Sequence, residues 1–235
     1  MVMGHSLMAA QIARLPSLLN EFFVPHRHHI QVRVEHGYTG SIVEAENGGW
    51  DWESSDFDDW ELEQGKLEAE DLWDWGWHPE QGQSFEEWFQ AEKSSGSICL
   101  RGCYGMAVYI GSRSLFLSTG IRWHHFVFDP ITQGDLRRFL GYLVQLFGVS
   151  TVIYMPDDIS PGCDVPSNCM EQGLSLEEIR AWLASQEPPA QSFREMITTV
   201  YVGSTKCWSA RGYYVEEIEA STFVAQHNDP TGANC

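Results

Sequence analysis

The hydrophobic pattern opens with a helical period. Leu7, Ala10, Ile12, Leu15, Leu18, Leu19 and Phe22 recur near 3.6 residues, predicting a helix over Leu7–Phe23 that Pro16 kinks or splits. Ile30–Val34 alternates as a half-buried strand, and Gly40–Ala45 follows as a second after a His36-Gly37 turn. A short helix is predicted at Phe85–Glu92 with Ser84 as its cap. Strand-like runs follow at Ser97–Arg101, Met106–Ile110 and Leu115–Ser118, with connections short enough for antiparallel hairpins. Trp123–Phe128, rich in aromatics, reads as an extension of that sheet.

The clearest amphipathic stripe is Leu136, Phe139, Leu140, Leu143, Val144 and Phe147. Asp129-Pro130 supplies a cap and a first helical residue for this helix, and Gly148 its stop. Val149–Met155 is a buried-type strand closed by Pro156. Ser175-Leu176-Glu177-Glu178 forms a capping box, with Leu174 and Ile179 as its hydrophobic staple, and the helix it opens ends before Pro188-Pro189. Strands at Thr198–Val202 and Tyr213–Ile218 precede a polar tail. Strands in series with helices between groups, and no repeating βαβ unit, give an α+β fold with a mainly antiparallel sheet and flanking helices. The expected organisation is a single domain over residues 1–235, with residues 44–93 as an insertion.

Charge changes the picture. The 235 residues hold 33 Asp and Glu against 14 Lys and Arg, a net of -19. Seventeen of the acidic residues lie between Glu44 and Lys93, where only Lys66 and Lys93 oppose them. The same stretch holds seven of the ten tryptophans, interleaved with carboxylates as Trp50-Asp51-Trp52-Glu53, Asp58-Asp59-Trp60-Glu61 and Asp71-Leu72-Trp73-Asp74-Trp75. Acidic tails are usually poor in aromatics because nothing drives them to order. Rings can anchor an interface while carboxylates steer a basic partner. The alternative is that the rings pack on the protein's own core and the carboxylates form a solvated face. Folding here sets ring burial against repulsion, so the segment is expected to be the least stable part of the free protein. The candidate partner-binding residues are Trp50, Asp51, Trp52, Glu53, Asp56, Asp58, Asp59, Trp60, Glu61, Asp71, Trp73, Asp74 and Trp75.

Catalytic and metal signatures do not emerge. The six cysteines (Cys99, Cys103, Cys163, Cys169, Cys207, Cys235) lack zinc-ligand spacing, and Cys163–Cys169 is the pair best placed for a disulfide in an oxidising compartment. The clusters His26-Arg27-His28-His29 and Trp123-His124-His125 lie in strand-like contexts, where neighbouring histidines point to opposite faces. Asp157-Asp158 reads as a strand-ending loop, and there is no Gly-x-Ser-x-Gly. No cofactor and no metal are expected. The longest apolar runs are far below the ~20 residues of a membrane span, and a chain this negative is a poor ligand for nucleic-acid phosphates. With no basic, then apolar, leader at its start, the chain is expected to be cytoplasmic and its thiols reduced.

In composition and architecture the chain resembles bacterial immunity proteins that neutralise contact-dependent or type VI secreted toxins. The resemblance implies a non-enzymatic protein that binds one basic cognate toxin and covers its cleft with the acidic aromatic segment. Other readings stay open: a DNA-mimic or anti-defence inhibitor of a nucleic-acid-binding complex, an enzyme using the histidine clusters, or a structural interaction module.

Overall fold

The computed structural model describes residues 1–4, 12–21, 40–54, 73–75, 77, 82–94, 98–102, 106–156, 169 and 172–218. Six strands form one antiparallel sheet: β1 (Val2–Gly4), β4 (Ile98–Arg101), β5 (Ala107–Ile110), β6 (Ser114–Ser118), β7 (Thr151–Tyr154) and β10 (Tyr214–Glu217). Their order is β10-β7-β1-β6-β5-β4. Two hairpins stand apart from it, β2 (Gly40–Glu44) with β3 (Trp50–Ser54), and β8 (Ile197–Val202) with β9 (Thr205–Ala210). The fold is α+β with a mainly antiparallel sheet.

Alternation along the strands supplies two buried faces. Met3, Leu115, Leu117, Val152 and Tyr154 point into the larger cluster, whereas Val2, Ile153 and Phe116 turn to the other side. The larger cluster is roofed by helix α1 (residues 15–21), α3 (Trp123–Phe128) and α4 (Pro130–Phe147). The second face is covered by Leu176, Ile179 and Leu183 of α5 (Leu176–Gln186).

Local chemistry explains the helix boundaries. In α4 the stripe Leu136, Phe139, Leu140, Leu143 and Val144 is buried, Asp129 accepts from the Thr132 hydroxyl (2.5 Å), and Gly148 ends the helix at φ 64°. In α5 the Ser175 hydroxyl accepts from the Glu178 N–H while the Glu178 carboxylate accepts from the Ser175 N–H, and Leu174 packs against the cluster that contains Ile179. Ser84 and Glu87 repeat the device at the start of α2 (Phe85–Ser94). Pro16 falls in the first turn of α1, where a missing N–H costs nothing.

One element corrects the sequence reading. Trp123–Phe128 is a helix, not a strand, with Trp123, His124, His125, Phe126 and Phe128 all buried. Burial on every side erases the amphipathic period, and the aromatic content imitates a strand. His124 and His125 therefore do not face opposite ways, and their ring centroids lie 4.4 Å apart. Strands β1, β3 and β9 have no counterpart in the pattern-based reading. The expected strand at 30–34, the histidines at 26–29, Asp157-Asp158, Cys103, Cys163, Cys235 and the tail from residue 219 lie outside the described residues.

Polar contacts tie the layers together. The Tyr154 hydroxyl donates to Glu216 (2.6 Å), and Arg137 of α4 pairs with the same carboxylate. Burial and the neighbouring carboxylate push the Tyr154 phenol well above its usual range. Both edges of the six-stranded sheet carry a backbone bridge. Asp74 exchanges N–H···O bonds with Arg101 of β4 (2.9 and 3.0 Å), and the Ala190 N–H bonds to Tyr213 C=O beside β10 (2.9 Å).

Candidate partner-binding surface

The acidic Trp-rich stretch sorts its residues by polarity. Its eight described carboxylates, Glu44, Glu46, Asp51, Glu53, Asp74, Glu86, Glu87 and Glu92, are all exposed. Among its described rings, Trp73 and Trp75 are buried, at 2% and 7% exposure, and Trp50, Trp77 and Trp88 are half-buried. Trp73 stacks on Phe139 of α4, with centroids 5.8 Å apart, and Trp75 meets Phe85 and Trp88 of α2. Asn20 of α1 clamps the Trp73 backbone, accepting from its N–H (2.9 Å) and donating to its C=O (3.2 Å). These rings hold the segment on the core, so Trp73 and Trp75 do not present anchors to a partner. Asp74, between them, points outward. Asp56, Asp58, Asp59, Trp60, Glu61 and Asp71 lie outside the described residues.

The first part of the stretch is built as a hairpin. Glu44 pairs with Trp50, Val43 with Asp51, Ile42 with Trp52 and Ser41 with Glu53. The turn closes through Ala45 and Gly49, the Ala45 N–H bonding to Gly49 C=O (3.0 Å). Two cations seat this hairpin on the rest of the molecule. Lys206 of β9 lies 5.1 Å from the Trp50 ring centroid, pairs with Glu44 and donates to Gly48 C=O (2.9 Å). Arg194, in the 3-10 turn Phe193–Met196, pairs with Asp51 at 3.1 Å. Glu46 and Glu53 form no ion pair among the described residues. The hairpin is thus a neutralised base with two carboxylates left for solvent or a partner.

The β8–β9 hairpin to which it is moored was not singled out in the sequence. Its register pairs Tyr201 with Lys206 and Thr199 with Trp208, so these four side chains share one face. Trp208 packs against the core and His124, with ring centroids 5.1 Å apart. Thr199 through Val202 are exposed, Tyr201 and Val202 at 70% and 69%.

The histidine pair behaves as packing. Burial, reinforced by His125 and Arg122, lowers the His124 pKa to about 4. Burial also lowers that of His125, which Asp129 opposes. Both rings are therefore neutral at pH 7. Among the described residues no three His, Cys, Asp or Glu side chains converge as metal ligands. Cys99, Cys169 and Cys207 carry free thiols, and burial raises the Cys169 pKa. No helix among the described residues is long and apolar enough to cross a membrane.

A cleft of about 520 Å³ lies where Gly148, Ser150 and Thr151 meet Arg113 and the start of α5. At the start of α5 Ser175 and Glu178 cap each other's backbone N–H, and Arg113 is paired with Glu178 at 3.0 Å. Among the described lining residues Arg113 is the one cation and is already committed to a carboxylate, and Glu177 adds a further negative charge, so the cleft does not favour an anion. No protein-family model, curated protein or solved structure matches the chain.

Proposed function

We propose that the protein is a binding inhibitor, of the immunity type, that neutralises a basic protein partner such as a cognate toxin. The observation that carries this reading is the sorting of the acidic stretch, with every described carboxylate exposed and its described rings turned wholly or partly inward. Carboxylates on ordered strands and a helix form a fixed negative field, which raises the encounter rate with a basic surface and suppresses wrong partners. The rings supply order, so a partner meets the charges without first having to fold them.

The test is association kinetics with the partner captured by cross-linking from the native cells. Glu46→Gln with Glu53→Gln leaves the Lys206 and Arg194 moorings intact. This variant should lower the on-rate several-fold at low salt, and the difference should shrink as ionic strength rises. A captured partner that is acidic, or an on-rate indifferent to both salt and these substitutions, refutes the reading.

A further inference from the structure

We infer that the outer edge of β8 receives an extended segment of the basic partner, which adds to the β8–β9 hairpin as a third strand. The inference rests on the binding function proposed above and adds to it a place and a mode of recognition.

The argument begins with how the molecule treats its edges. An open strand edge is a template for pairing, and proteins blunt it with charge, proline, bulges or cover. Here the two edges of the large sheet carry the Asp74 and Ala190 bridges. Strands β2 and β3 carry Glu44, Asp51 and Glu53, and β9 carries Lys206. Among the described residues β8 has none of these protections. Its sequence, Ile-Thr-Thr-Val-Tyr-Val, contains no charge, proline or glycine, and its only strand neighbour among the described residues is β9.

The register shows which backbone groups are free to pair. Ile197 stands opposite Ala210, and the Arg211 N–H bonds to Met196 C=O at 3.0 Å. Hydrogen-bonded and non-hydrogen-bonded pairs alternate along an antiparallel ladder. Val200 and Val202 therefore spend their amides on β9, while Thr199 and Tyr201 turn theirs outward. The exposed Val200, Tyr201 and Val202 side chains flank those groups.

Charge selects the occupant. A second copy would bring another net charge of -19 to this edge. Lys206 of β9 and Arg194, three residues before β8, hold the acidic β2–β3 hairpin against the same β8–β9 unit, with Glu46 and Glu53 exposed. A strand bearing Lys or Arg satisfies both features, its backbone pairing with Thr199 and Tyr201 and its cations facing the carboxylates. Main-chain bonds then supply affinity and the side chains specificity.

The probe is a short synthetic peptide in which lysine alternates with valine, set against the same peptide with glutamate for lysine. Residue-resolved hydrogen exchange on the full chain should slow about 10-fold at Thr199 and Tyr201 with the lysine peptide, and not with the glutamate one. Thr199→Pro removes one outward N–H and should weaken peptide binding about 10-fold. Tyr201→Lys, which keeps every amide and adds a charge to the edge, should do the same if proline disturbs the hairpin. Peptide binding without protection at Thr199 and Tyr201, equal protection by both peptides, or no binding overturns the inference. So does protection that appears without peptide as protein concentration rises, which would make the occupant a second copy. If Glu46→Gln with Glu53→Gln slows the captured partner while Thr199→Pro binds it unchanged, the acidic surface stands and the β8 edge falls.

Discussion

Adding one methyl group to Gly102 should undo the seating of the acidic segment. Gly102 follows β4, and a Cβ built there would lie 2.7 Å from three atoms of the Trp73 indole. Ordinary contacts of a Cβ begin near 3.4 Å, so a gap of about 0.7 Å must open. The ring cannot simply retreat. Phe139 stacks on Trp73, Asn20 grips its backbone on both sides, and Asp74 is tied to Arg101 next to the glycine. If the core yields locally, overpacking of this kind costs about 1–3 kcal/mol. If the indole is expelled, the loss approaches the ~3–5 kcal/mol of deleting a buried aromatic. Gly134→Ala is the matched control, because a Cβ at Gly134 in α4 meets nothing within 4 Å. There the same methyl group should stabilise by about 0.4–1 kcal/mol, through helix propensity and a less free unfolded chain. Urea unfolding followed by circular dichroism measures both variants, and hydrogen exchange at Asp74 and Arg101 reports the bridge. Equal stability of Gly102→Ala and wild type, with the bridge still protected, would show that the indole does not rest on Gly102.

Two further outcomes follow from the buried groups. His124 has its folded pKa at about 4 against 6.5 for a free histidine, so between those values the unfolded chain binds the extra proton. Its contribution, up to about 3 kcal/mol, is therefore full above pH 6.5 and is lost as pH falls toward 4. Denaturant titrations across that window should show the slope and its loss in His124→Gln; an unchanged slope refutes it. Leu140, fully buried on α4, should cost about 2–5 kcal/mol when cut to alanine, and a loss below ~1 kcal/mol in the same titration would contradict its place in the core.

What the sequence disclosed depended on whether a signal was local. The α4 stripe, the Ser175–Glu178 box and the Ser84 cap are each written within a few adjacent residues and appear as read. Helix α3 imitates a strand because its identity is set by tertiary burial, and β1 leaves no signal because three residues carry too short a pattern. Strand β9, Thr-Lys-Cys-Trp-Ser-Ala, lacks apolar alternation and is fixed by its register with β8. For the site, charge clustering located the stretch of carboxylates, but the inward turn of Trp73 and Trp75 depends on Phe139 and Asn20, distant in the chain. That β8 is an edge was equally hidden. Its residues would suit an interior strand, and only the arrangement of its neighbours among the described residues leaves it open.

The placement of β1 bears on how the chain reaches this structure. Val2 pairs with Phe116 on one side and with Ile153 on the other, so a three-residue strand joins two parts of the sheet far from it in sequence. Each pairing must close a long loop before it gains anything, which puts folding in the slow, milliseconds-to-seconds range of topologies rich in non-local contacts. Until that strand is inserted, β6 and β7 each present a bare hydrophobic edge. The interval before insertion is thus the period of greatest aggregation risk, and a partner or chaperone acting then would influence yield without altering the finished fold.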